Sequence, residues 1–287
     1  MIGVVGAGGT LGAMLVRRLS ATPFEFRADE GAPSAIAACD VVVNVGGPRV
    51  RPGLRSDDYA REHLGVAAHV LGRMRRGAHL VHVSSTAVYG ARGARLAAQA
   101  PEQPARFPTA GYAFAKLAAE SYVRAEHARA GVAVSVLRPS MVYGPGIDSA
   151  LSTIRRVSRH GVRVIIRPRS LRQHLVHVDL LVAAIERAIA EPLGSEPCIV
   201  ADPFVLESDD ITPREGAPVA IDVARIQRVQ QEFARRIPWS GGRALEALAV
   251  LALDNVFDWE SGFERLGLAT ERFERARSFD PYWRGAP

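Results

Sequence analysis

The chain has 287 residues, 48% of them hydrophobic and 23% charged, a composition that suits one large globular domain or a domain with a smaller lobe. No apolar run reaches the ~18 residues of a bilayer-spanning helix, so no membrane role is expected. The net charge is +6, but the arginines are spread along the chain and not gathered in a tract, which argues against a nucleic-acid partner.

The chain opens directly on an apolar run, Ile2-Gly3-Val4-Val5, without a charged leader. Cys39 and Cys198 are too few and too far apart for a disulfide framework or a metal site, so a reducing, cytoplasmic setting and no metal are expected. The opening run reads as a strand. Gly6-Ala7-Gly8-Gly9-Thr10-Leu11-Gly12 follows it and leads into helical periodicity over residues 11–19. A Gly-x-Gly-x-x-Gly reading fails because Leu11 takes the last position. Gly6, Gly9 and Gly12 instead satisfy Gly-x-x-Gly-x-x-Gly. A glycine turn between a strand and a helix N-terminus lets backbone N–H groups approach a pyrophosphate, so a dinucleotide cofactor is expected here.

A second strand is expected over residues 24–27. Asp29 and Glu30 follow it, about 20 residues past the loop, where an acid would bond the ribose hydroxyls of NAD. Arg27 would suit a 2′-phosphate and keeps NADP open. Only about a dozen residues then separate this strand from Asp40-Val41-Val42-Val43-Asn44, too few for a full helix–strand–helix connection. Either one βα unit is missing, or residues 24–29 form the third strand and the second is lost.

Further strands are expected at 41–45, 80–83 and 132–137, with helices at 57–74 and 112–130 between them. This alternation predicts an α/β fold: a Rossmann-like, doubly wound parallel sheet that binds ligands at the carboxyl ends of its strands. Residues 1–144 read as the dinucleotide-binding domain, with a strand near 196–200 returning to its sheet. Residues 145–287 read mainly as a smaller substrate lobe. That lobe is expected to hold a helix at 149–160, strands at 163–167 and 175–178, and a helix at 179–190. A loop at 203–218 and helical pieces from 222 onward would complete it.

Of the 36 basic residues, Lys116 alone is lysine; the other 35 are arginine. It stands four residues after Tyr112, so the two share a helix face. An ammonium is a compact charge with three donors, whereas a guanidinium is a broad planar fork. A cation near a phenol favours the phenolate, which could take a proton from a substrate hydroxyl.

Six segments in order then resemble the extended short-chain dehydrogenase/reductase family, the NAD-dependent epimerase/dehydratase group. They are the glycine loop, Asp40-Val41-Val42-Val43-Asn44-Val45-Gly46-Gly47, Val83-Ser84-Ser85-Thr86-Ala87-Val88-Tyr89-Gly90, the Tyr112/Lys116 pair, Leu137-Arg138-Pro139-Ser140-Met141-Val142-Tyr143-Gly144-Pro145-Gly146, and Val176-His177-Val178-Asp179. The resemblance covers nearly the whole chain. It implies NAD, with NADP open, held by Gly6, Gly9, Thr10, Leu11, Gly12, Asp29, Gly46, Lys116 and Pro139. It implies catalysis by Ser85, Tyr112 and Lys116, with Ser84 the alternative hydroxyl and Lys116 also bonding the nicotinamide ribose. Substrate contacts would come from Ser85, Thr86 and Arg172; Arg172 either binds a diphosphate or is a surface arginine. A homodimer through the helices at 57–74 and 112–130 is implied as well.

Two departures matter. His63 stands where the family has an asparagine that supports a proton relay, and reads either as a relay or as a helix-surface residue. Thr86-Ala87 replaces the Asp-Glu pair of the 4,6-dehydratases, which argues against dehydration. Neither cysteine lies in a motif, so 3- or 5-epimerisation by a cysteine is unsupported. His174 and His177 read as structural. The function expected is an NAD(P)-dependent oxidoreductase of a sugar-like hydroxyl or ketone, a nucleotide-sugar 4-epimerase or 4-ketoreductase. The rivals are a reductase of a non-nucleotide carbonyl and an inactive dinucleotide-binding sensor.

Overall fold

A computed structural model of the chain describes residues 1–49, 54–90, 95–97, 100, 102, 110–149, 151, 162–167, 172–207, 217–222 and 255–270. Its centre is a parallel sheet of six strands: β1 (Ile2–Val5), β2 (Thr22–Phe24), β3 (Val41–Asn44), β4 (His79–Val83), β6 (Ala133–Pro139) and β11 (Gly194–Val200). Among the described residues five helices accompany them: α1 (Thr10–Leu19), α2 (Ser56–Arg73), α3 (Ala110–Ala130), α4 (Val178–Ala190) and α5 (Trp259–Leu266). The strand order is β11-β6-β4-β3-β1-β2, and every neighbouring pair is parallel.

Both faces of such a sheet are covered, so its strands read as near-continuous apolar runs, as Val41-Val42-Val43 does. Successive side chains go to opposite layers. Val4, Val43, Val81 and Val83 pack with Leu15 of α1, Leu181 and Ile185 of α4 and Phe263 of α5. Val5, Val42, Leu80 and Val134 pack with Val66 and Val70 of α2 and Ala119 and Val123 of α3.

The second strand differs from expectation. It runs over Thr22–Phe24 and not over 24–27, because β1, its ladder partner, ends at Val5, which pairs with Phe24. Its position directly beside β1 also decides between the two readings of the short connection. In a doubly wound sheet that place belongs to the second strand, so the unit missing is the one that would extend the sheet beyond β2. A short 3-10 turn, Ser34–Ala38, stands there instead and buries Ile36 in the layer under α2. As an edge strand, β2 tolerates Pro23, which has no N–H to donate.

Beyond residue 144 the chain still serves the main sheet. β11 joins β6 as expected, and α4 and α5 cover the β1–β4 face. The remaining strands form two-stranded ribbons. β7 (Met141–Tyr143) pairs with β10 (Leu175–His177), β8 (Val162–Arg167) with β13 (Ala217–Asp222), β9 (Arg172–Gln173) with β12 (Leu206–Glu207), and β5 (Arg95–Leu96) with β14 (Val256–Phe257). β12 and the start of β13 replace part of the loop expected at 203–218, because each finds a ladder partner in sequence far away. All but residues 149 and 151 of the second lobe's first expected helix, most of the pieces expected after 222 and the aromatic tail at 280–283 lie outside the described residues. No described helix is long and apolar enough to cross a membrane.

Candidate active site

The carboxyl ends of β1, β3, β4 and β6 carry the motif residues. After β1, Gly6 bonds back to Phe24 and accepts from the Gly9 N–H at 3.1 Å, and Gly9 caps α1 without a side-chain bond. Thr10, Leu11 and Gly12 form the first turn of α1, so its leading N–H groups stay available to an anion. Gly6 sits at φ +85°, and a side chain there would start 2.7 Å from the Cα of Gly46. The loops after β1 and β3 therefore abut as bare backbone.

The acid that touches this loop is Glu25. Its Oε2 accepts the Gly8 N–H at 2.5 Å. Asp29 lies instead in an exposed turn farther on, where Arg27 N–H bonds Glu30. Sequence reasoning missed Glu25 because it carried the strand through residue 27. The true strand ends at Phe24 and makes Glu25 the first residue past it. Pro139 ends β6, beside the Ser140 N–H that bonds Val200.

α3 brings Tyr112, Lys116 and Glu120 onto one face against the end of β4. The Lys116 Nζ donates to the Val83 carbonyl at 2.9 Å and lies 5.9 Å from the centre of the Tyr112 ring. The Ser85 side chain is close enough to the Tyr112 hydroxyl to lower its pKa, and Ser85 Oγ accepts the Ala87 N–H at 3.1 Å. Of the two serines it is Ser85 that meets Tyr112. Thr86 follows, buried in the short turn Thr86–Tyr89.

Burial pushes the Tyr112 phenol up to about 12, and the nearby Ser85 side chain only partly offsets this. Burial also pushes Lys116 down to about 8, against the pull of the Glu120 carboxylate. The expected lowering of the phenol by the ammonium is absent here: desolvation sets the shift, and Nζ is directed to Val83.

His63 is no helix-surface residue. It is 3% exposed, its ring meets Tyr112 edge-on at 5.5 Å, and Nε2 bonds the Pro48 carbonyl at 3.0 Å. A side chain on Gly47, at φ +101°, would start 2.2 Å from His63 Nδ1, so this ring and the loop after β3 are fitted to each other. Burial, then the charge of Lys116, pushes its pKa down to about 2, and the imidazole stays neutral.

Two buried groups carry no signal that sequence reasoning used. Arg138, wholly buried on β6, bonds Glu120 through Nε at 3.0 Å, Glu102 at 2.6 Å and the Tyr89 hydroxyl at 2.6 Å. It locks α3 one turn beyond Lys116. Asp202, just past β11, accepts the His177 N–H at 2.9 Å, and burial pushes it up to about 6. Arg138 stands in a quoted motif and Asp202 two residues past β11, but only packing reveals their partners. His174 accepts the Phe257 N–H at 2.8 Å and His177 caps α4, so each is engaged structurally. Arg172 is exposed on β9.

The arrangement is a backbone cradle for a dinucleotide at the ends of β1 and β3, with a phenol, a serine and an ammonium at the end of β4. The profile of the NAD dependent epimerase/dehydratase family matches residues 27–198. No curated protein matches the chain significantly. Among solved structures, MoeE5 in complex with UDP-glucuronic acid and NAD superposes with a TM-score of 0.70 at 18% identity, over 99% of this chain and 98% of that one. The terminal R domain of the myxalamid PKS-NRPS pathway gives 0.69 at 18% identity, over 93% and 84%. The UDP-glucuronic acid 4-epimerase of Bacillus cereus in complex with NAD gives 0.63 at 15% identity, over 80% and 84%.

Proposed function

The chain belongs to the NAD-dependent epimerase/dehydratase family, and from that premise we propose that it is an NAD-dependent 4-epimerase or 4-ketoreductase of a nucleotide sugar. The observation that carries the reading is the meeting of Ser85, Tyr112 and Lys116 at the end of β4, on the same edge of the sheet as the glycine loop.

The residues present fit a dinucleotide. Gly6, Gly9, Thr10, Leu11 and Gly12 offer backbone to a pyrophosphate, and the bare Gly46 backbone borders the same cleft. Glu25 takes the ribose-reading role first given to Asp29, and a carboxylate there disfavours a 2′-phosphate, which selects NAD over NADP. Lys116 and Pro139 border the nicotinamide end. When bound, the cofactor accepts or returns a hydride at the sugar carbon.

The chain's own residues handle the proton. Ser85 Oγ and the Tyr112 hydroxyl hold the substrate oxygen, and Tyr112 takes its proton on oxidation and gives it back on reduction. Lys116 stabilises the phenolate that forms, an interaction that gains weight as the buried phenol ionises. Thr86-Ala87 offers no carboxylate pair, so the ketone goes back to an alcohol and not on to an elimination. The UDP sugars bound by MoeE5 support a nucleotide-sugar substrate, for which Arg172 is the proposed diphosphate ligand. Phe114, 53% exposed on α3, supports a homodimer through α2 and α3.

Denaturing the purified protein and identifying what it releases by mass spectrometry tests this reading. NAD together with a nucleotide sugar is the expected result. A protein that releases neither, yet oxidises NADPH with simple ketones, would overturn it in favour of a carbonyl reductase.

A further inference from the structure

Alternation along β4 puts Leu80 in the layer under α2 and α3, and Val81 and Val83 in the opposite layer. His82 and Ser84 therefore share Leu80's side, the side from which Lys116 reaches the Val83 carbonyl between them. Both are buried, at 3% and 2% exposure.

The proton on His82 can be assigned from its neighbour. Gly46 N–H donates to Asn44 Oδ1 at 3.0 Å, which fixes the orientation of the Asn44 amide. Asn44 Nδ2 then faces His82 Nδ1 at 3.4 Å as a donor, so Nδ1 accepts and the ring hydrogen is on Nε2. Burial, then the charge of Lys116, keeps His82 neutral. Among the described residues, neither His82 Nε2 nor Ser84 Oγ has a hydrogen-bond partner. A buried donor of this kind is costly to leave unpaired. Lys116 brings donors to the same stretch of β4, at the carbonyl of Val83, which stands between His82 and Ser84 in sequence. Its ammonium has three hydrogens, and Val83 takes one. Two donors from different elements and a hydroxyl that can accept define the partner they need, an oxygen that takes two hydrogen bonds and returns one.

We propose that β4 and α3 enclose a structural water that accepts from His82 Nε2–H and Lys116 Nζ–H and donates to Ser84 Oγ. His82 is thereby a positioning residue for Lys116. Val83 and the water hold two of the ammonium's hydrogens and aim the third at the cleft. This accounts for the one lysine of the chain, because a planar guanidinium cannot distribute donors tetrahedrally around one carbonyl and one water. The site stands on the protein's own atoms; only the use of the third hydrogen rests on the function proposed above.

The single lysine makes the test direct. In the full chain, lysine labelled with 13C at Cε yields one resonance, whose titration reports Lys116 alone. His82→Leu removes the polar partner of the water, the ammonium loses an acceptor, and the midpoint falls by about half a pH unit or more. His82→Gln restores a donor and brings the midpoint back to within about 0.2 unit of the native one. An unchanged midpoint in His82→Leu overturns the proposal, as does a Gln variant no closer to native than the Leu variant. Should the variants not fold, the native protein decides. A slowly exchanging His82 Hε2 with a cross-peak to a long-lived water supports the site, and its absence sinks it. Neither measurement needs cofactor or substrate, so failure here is distinct from failure of the proposed reaction.

Discussion

Lys116 is anchored to Val83: its Nζ donates to that carbonyl at 2.9 Å and stands 5.9 Å from the Tyr112 ring centre. The ammonium is thus held by the strand that leads into Ser84-Ser85, while the phenol stands beside Ser85. One helix and one strand end together place three functional groups.

Lys116→Arg is expected to lower turnover on the order of 100-fold or more, because a planar fork cannot replace the ammonium in a site 6% exposed. Rates are to be measured with the substrate that mass spectrometry of the released molecules identifies. Near-native turnover would refute the role given to Lys116.

Glu25→Ala should weaken NADH binding about tenfold and leave NADPH binding level or improved, since the carboxylate beside Gly8 is lost. Fluorescence titration with both cofactors reads this. If Asp29→Ala has that effect and Glu25→Ala does not, Asp29 is the ribose ligand after all.

Stability should fall with acid. His63 and His82 are pushed from 6.5 down to about 2 and about 3, in each case by burial first and the charge of Lys116 next. Their folded-state values are depressed, so the stability they carry is full above the unfolded value and is lost as pH drops below 6.5. Asp202 acts in the opposite sense. Raised from 3.8 to about 6 by burial, it keeps its proton when folded and gives stability back as pH drops through 6. The net loss between pH 7 and pH 5 should be about 2 to 3 kcal/mol, read from urea unfolding at each pH. Asp202→Asn removes the offset and steepens the fall by about 1 kcal/mol. A flat profile would mean that these histidines are not buried neutral groups.

Glu120→Ala strips the wholly buried Arg138 of one of its two carboxylate partners and should cost about 3 kcal/mol, the low end for breaking a buried ion pair because Glu102 still bonds it. Thermal or urea unfolding checks it. Because Arg138 ties β6 to the helix carrying Tyr112, turnover should fall along with stability.

Much of the fold was legible because its signals are local. Val41-Val42-Val43 reads as a doubly covered strand, and the glycine run between strand and helix reads as a phosphate cradle, from the pattern of neighbouring residues alone. Tyr112 and Lys116 share a face by helical spacing, which no packing detail can undo. What was not legible depends on partners distant in sequence. β2 stops at Phe24 because β1 stops at Val5, three residues short of the expected end, so that Glu25 is the acid bonded to the glycine loop. Leu206–Glu207 became a strand only because Arg172–Gln173 lies alongside it.

By itself, then, the sequence determined the parallel α/β sheet, its glycine loop and the Tyr112/Lys116 pair, since these follow from backbone periodicity and short-range spacing. Only the tertiary structure decided that the missing unit lies beyond β2. It likewise decided that His63 is a buried neutral ring and that Arg138 locks α3. Those outcomes turn on desolvation and on which groups from separate elements come within bonding distance, and neither is written in the spacing of residues along the chain.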